Sequence, residues 1–162
     1  FASDHDTPES IASTVEFAQQ QGLFIAAFNH ITPFPGTPHS ERMQKEGRLL
    51  YDPWWLDESY RYNMIPFQPA QMTPDELAGL CVQARREFYR WPSITRRSLH
   101  RVNWRDPWMW MNYWVINLMH QKDVLGRNGL PLGDANWLGE LTESEHAADV
   151  QELLADLTTQ MG

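Results

Sequence analysis

LFIAAFNHITPFPGT, residues Leu23–Thr37, decides how this chain is read. From Leu23 to Phe28 the run is apolar without a break, the pattern of a strand buried on both faces in a parallel sheet covered by helices. Polar groups then arrive together. Asn29, His30 and Thr32 occupy the carboxyl end, and Pro33, Pro35, Gly36 and Thr37 make a stiff turn. In α/β folds ligands gather beyond strand ends, because loops there aim side chains and amides over a rigid sheet. The stretch therefore predicts a buried strand with the functional feature at its tip.

Toward the amino end, Phe1–Ser3 reads as the tail of a strand already begun and Asp4–His5–Asp6 as the loop above it, so the chain is expected to be a fragment. Thr7 is placed as an N-cap, with Pro8 in the first helical position and Glu9 favourably set against the helix dipole. Ile11, Val15 and Ala18 give one apolar helical face, and Gly22 stops it. Strand, helix and strand make one βαβ unit, whose two strands are parallel neighbours. Asp4, His5 and Asp6 are adjacent on a turn and rarely converge on one ion in that arrangement, so they are read as loop and helix-start residues.

Toward the carboxyl end, Thr37–Pro38 repeats the cap-then-proline start and Gly47 closes a short helix. The stretch from Arg48 to Gln71 has three Pro, six aromatic residues and no period, which suits an ordered segment wrapped on its neighbours better than a disordered linker. Thr73–Pro74–Asp75–Glu76 is a capping box opening a helix with Leu77, Leu80, Cys81, Ala84 and Phe88 on one face. Trp91–Pro92 is expected to end that helix and Ser93 to cap another. Asp106–Pro107 starts a helix that is apolar nearly all round from Trp108 to Met119, read as central and buried. A last amphipathic helix is expected from the capping box at Thr142 and Glu145.

Composition bounds the function. The 162 residues are 42% hydrophobic and include eight Trp and seven Met, enough for a real core. A net charge of −8 argues against general nucleic-acid binding. The charge is uneven, since seven Arg lie between Arg85 and Arg105 while seven acids and no Lys or Arg follow Arg127. Interleaved with Phe88, Tyr89, Trp91 and Trp104, these Arg suit an anionic head group or a nucleic-acid strand; a solvated face balanced by the acidic tail explains them equally and is preferred. The single cysteine, Cys81, allows no internal disulfide and fits a reducing, cytoplasmic setting. There is no HExxH, G-x-S-x-G, P-loop or G-x-G-x-x-G, so zinc, serine-hydrolase and phosphate-loop chemistry have no motif to stand on.

The residues Asp4-His5-Asp6-Thr7-Pro8-Glu9, Phe28-Asn29-His30 and Thr32-Pro33-Phe34-Pro35-Gly36-Thr37-Pro38, in that order, resemble the closing part of the barrel in cobalamin-binding radical S-adenosylmethionine proteins. Leu49-Leu50-Tyr51-Asp52, Trp54-Trp55 and Met72-Thr73-Pro74 look like the domain of unknown function that follows it. The resemblance implies a partial β/α barrel whose mouth holds a [4Fe-4S] cluster and S-adenosylmethionine, with cobalamin in some relatives. It implies that Asn29, His30, Pro33, Pro35, Gly36, Thr37 and Asp4 lie nearest a cofactor. Read from the residues alone, Asn29 and His30 either hydrogen-bond a ligand or satisfy loop carbonyls. Two departures stand out: the cluster motif CxxxCxxC is absent, and Ala2 or Ser3 replaces the glycine usual before the first aspartate.

The expected architecture is thus an α/β fragment, a terminal βαβ piece of a partial barrel over residues 1–47, followed by a mainly helical domain over 48–162. The expected function is the C-terminal part of a radical S-adenosylmethionine enzyme, covering the substrate side and binding no cofactor alone. Its partner would be the missing N-terminal part of the same polypeptide, and an exposed apolar edge would favour self-association. The alternative is a free-standing helical module that binds a protein partner.

Overall fold

The computed structural model describes residues 1–51, 53–130 and 132. The expected last helix and the acidic tail lie outside the described residues. Four of the five α-helices among those described begin with a polar cap followed by proline: α1 (Pro8–Gln20) behind Thr7, α2 (Pro38–Lys45) behind Thr37, α3 (Pro74–Tyr89) behind Thr73 and α5 (Pro107–Gly126) behind Asp106. In each the cap side chain accepts an amide from the first turn, and the proline sits where no amide is needed. At Thr73 the box is reciprocal, with the Thr73 amide donating to Glu76 Oε2 at 2.8 Å. The fifth helix, α4 (Trp91–Ser98), follows α3 after one extended residue, Arg90, and a 3-10 turn spans Arg101–Trp104. Ser93 therefore lies inside α4, where its hydroxyl donates to Phe88 O at 2.7 Å and braces the α3–α4 corner.

The core forms where α1 and α3 face each other and α5 closes on α3 and α4. Ile11, Val15 and Ala18 from α1 meet Leu77, Cys81, Ala84 and Phe88 from α3, all buried. Phe67 and Met43, both fully buried, carry the 48–72 segment and α2 onto the same cluster. Phe1–Leu132 form one compact unit.

The βαβ expectation is overturned. Among the described residues there is no strand and no sheet, only an isolated antiparallel bridge between Leu49 and Phe67. Leu23–Ile31 is extended, but its burial alternates: Phe28 is buried while Leu23, Ile25 and Ile31 are 41%, 49% and 46% exposed. An extended chain becomes a strand when a neighbouring backbone takes its amides and carbonyls. Here side chains of the helices take that place. Arg97 donates to Leu23 O at 2.8 Å, Asn117 to Phe24 O at 3.1 Å, and the Tyr89 hydroxyl donates to Ala26 O at 2.9 Å while accepting the Ala26 amide at 3.3 Å. Phe1 pairs with Asn29 O and the Ile31 amide, both at 2.8 Å, but Ala2 turns to φ 81 and the pairing stops after one residue.

Gly22 makes the turn into this segment possible. It ends α1 with φ +66, donating to Gln19 O while the Leu23 amide reaches Ala18 O, which is the Schellman arrangement. A Cβ there would stand 2.2 Å from Cγ of His100, so the close approach of the corner at His100 needs glycine as well. The helix expected to be central is also only half covered. Tyr113 and Asn117 of α5 are fully buried, whereas Trp108, Met111, Val115 and Met119 face outward.

Candidate functional site

The residues singled out at the tip of the extended segment do not form one cluster. Because side chains alternate along an extended chain, Asn29 turns outward and His30 inward. Burial, then the Phe1 amine and Arg85, push the His30 imidazole down to about 4, so it is neutral near pH 7. Asn29 offers its carbonyl to the Phe1 amine and leaves its amide side chain exposed.

The turn residues shape the backbone. Pro33 is buried, Pro35 is exposed, and Gly36 takes φ +74 with no heavy atom near the place of a Cβ. Thr37 closes the turn and opens α2 at once: its hydroxyl donates to Phe34 O at 2.6 Å and accepts the Ser40 amide at 3.3 Å. Asp4 is an anchor. Its carboxylate takes Arg42 at 2.5 Å and Arg48 at 3.0 Å, and its carbonyl takes Gln71 Nε2 at 3.3 Å. Hydrogen bonding to Arg48 first, then to Arg42, holds the Asp4 carboxyl below its ordinary range. Among the described residues no three His, Cys, Asp or Glu side chains converge as a metal site would require.

The larger concavity lies elsewhere. An open groove of about 1010 Å3 runs between the outer face of α3 and the 50–72 segment, with Tyr51, Tyr62, Met64, Met72, Val82 and Arg86 among its lining residues. Its far end is fixed by Tyr62, whose amide donates to Leu130 O at 2.8 Å and whose carbonyl takes the Gly129 amide at 3.2 Å. A smaller groove of about 440 Å3 lies between α1 and α3, with Ile11, Val15, Leu80 and Ala84 among its lining residues. None of the seven tip and loop residues lines either groove.

The sequence did carry a signal for the large groove. An aromatic, proline-rich stretch with no period beside a capped helix has side chains that its own element does not bury. What it lacked was the face of α3 involved, since Ala78, Gly79 and Val82 sit beside the core stripe of Leu77, Cys81 and Ala84.

Beneath the extended segment sits a buried arginine. Arg97 is fully buried and its guanidinium lies 3.7 Å from the Phe88 ring centre. It donates to Phe88 O at 2.9 Å, Asn117 Oδ1 at 3.0 Å and Ser93 Oγ at 3.2 Å, besides Leu23 O. Burial lowers its pKa, and the oxygens around it, none of them a carboxylate, make it a strut between α3, α4, α5 and the segment.

No family model matches the chain, and no solved structure matches it. Two curated proteins of Chlorobaculum tepidum do. The chain is 28% identical over 123 residues to a bacteriochlorophyllide d C-12(1)-methyltransferase, covering 75% of this chain and 25% of that protein. It is 26% identical over 95 residues to a bacteriochlorophyllide d C-8(2)-methyltransferase, covering 59% of this chain and 20% of that protein. The chain thus spans a quarter or less of the length of the curated relatives it matches, and its likeness is to a segment of two methyltransferases of bacteriochlorophyllide d.

Proposed function

We propose that this chain is the C-terminal part of a radical S-adenosylmethionine methyltransferase of the cobalamin-binding kind, and that it contributes substrate binding rather than radical generation. The observation that carries this reading is the similarity to the bacteriochlorophyllide d C-12(1)-methyltransferase over 75% of the chain. The ordered blocks from Asp4 to Pro38 and from Leu49 to Pro74 point the same way.

The residues present do not fit the cluster that such chemistry uses. Three thiolates are needed, and Cys81 is the only cysteine, buried in the α3 face with its thiol pushed up by burial. No step is therefore assigned to this chain through iron, S-adenosylmethionine or cobalamin. What it offers is the α3 groove. Tyr51, Tyr62, Met64 and Met72 provide flat and adaptable apolar surface, and the exposed Arg86 provides a cation. That combination suits a large planar amphiphile bearing a carboxylate, the chemical character of a chlorophyllide. Asn29, outward-facing, is the exposed polar side chain of the tip, open to a ligand held by the rest of the polypeptide.

Gly79 makes the test direct, because it lines the groove and has no heavy atom within 4 Å of where a Cβ would be. Titrating the 162-residue chain with bacteriochlorophyllide d should give a saturable shift in pigment absorbance. Gly79→Trp should weaken that binding about tenfold or more, a loss of at least ~1.4 kcal/mol. Absence of a saturable shift, or equal affinity in Gly79→Trp, would overturn the assignment.

A further inference from the structure

The corner from Leu99 to Trp108 is patterned inside out. In a loop exposed to water, polar side chains face solvent and apolar ones turn in. Here Asn103 is fully buried, donating to Gly22 O and Arg97 O at 2.8 Å each. Leu99, Val102 and Trp108, by contrast, are 74%, 72% and 71% exposed. Trp104, also exposed, stands beside Leu99, its indole donating to Leu99 O at 3.0 Å. The buried Asn103 holds this arrangement in place, since turning the corner over would leave the Gly22 and Arg97 carbonyls without their donor.

Charge around the corner is mainly positive, with Asp106, the exposed cap of α5, as its one carboxylate. Between Glu87 and Asp106 the chain has five Arg and no acidic residue. Arg97 is buried and Arg90 pairs with Glu87 at 3.1 Å, while Arg101 and Arg105 flank Val102 and Trp104 and are exposed. None of these residues lines either groove. Exposed aliphatic side chains, indoles and flanking guanidinium groups in one short corner match the boundary of a bilayer. There the apolar tips enter the acyl edge, tryptophan sits at head-group depth and arginine meets lipid phosphate. Among the described residues no helix is long and apolar enough to cross a membrane.

We propose that the Leu99–Trp108 corner docks this protein on an anionic lipid surface. The inference goes beyond the proposed substrate site and does not depend on it. The test is co-sedimentation of the full chain with vesicles of phosphatidylcholine alone and of phosphatidylcholine with phosphatidylglycerol, at low and moderate salt. Binding should be stronger to the anionic vesicles and weaken with salt. Replacing Arg101 and Arg105 together by Gln should lower partitioning onto anionic vesicles by roughly 30-fold and leave the zwitterionic case nearly unchanged. Leu99→Ser with Val102→Ser should lower both by about tenfold or more. Both pairs are exposed, so melting followed by circular dichroism should match the wild type. The proposal fails if the wild type does not bind anionic vesicles, or if both double variants bind as it does. It also fails if sedimentation shows a dimer that Leu99→Ser with Val102→Ser splits, with no vesicle binding, because the corner is then an interface between copies.

Discussion

His30 shows how one residue's role follows from which way its side chain points. The pleat of the extended segment turns it inward, and burial makes the charged imidazole unfavourable, drawing its pKa from 6.5 to about 4. The unfolded chain binds a proton at His30 as pH falls below about 6.5, whereas the folded chain resists until about 4. Stability is therefore full above the unfolded value and declines through that window as pH falls. His30→Gln should flatten the dependence of the urea midpoint on pH across the window. Parallel curves for variant and wild type would mean that the folded imidazole is solvated. Asp4 acts in a separate range: its depressed carboxyl adds stability that is lost only below about 3.8.

At the scale of elements, the extended segment is held by helices acting as its partner. Tyr89, buried at the end of α3, uses one hydroxyl as donor to the Ala26 carbonyl and acceptor from the Ala26 amide, the two groups a neighbouring strand would engage. Tyr89→Phe removes both bonds while leaving the ring against Phe88 and His120. At about 1 kcal/mol for each neutral hydrogen bond, the variant should lose about 2 kcal/mol in urea unfolding. Its Ala26 amide should exchange with solvent faster than in the wild type. An unchanged exchange rate would mean that the segment is fixed by the Arg97 and Asn117 contacts alone.

For the molecule as a whole, the balance of parts decides what chemistry it carries. One buried thiol cannot replace three cluster ligands, and the ion pairs of Asp4 with Arg42 and Arg48 use the loop's charge to join α2 to the amino end. The chain reconstituted with iron and sulfide should therefore develop no [4Fe-4S] absorbance and should not cleave S-adenosylmethionine. Either activity would remove the division of labour proposed for this segment.

Helix starts were legible in the sequence because a cap and a proline act within one turn. Thr7–Pro8, Thr37–Pro38, Thr73–Pro74 and Asp106–Pro107 each open a helix where the local chemistry says. The cysteine count likewise excluded a cluster within the chain without any coordinates. The fate of Leu23–Ile31 was not legible, because an apolar run does not say whether its backbone will meet another backbone or a side chain. Arg97, which takes the Leu23 carbonyl, is 74 residues away, and Asn117, which takes that of Phe24, is 93 away. Only the packing of α3, α4 and α5 brings those donors beneath the segment and turns Asn103 inward at the corner. Local hydrogen bonding wrote the beginnings of the helices, and long-range burial of polar side chains decided that the expected strand stands without a sheet.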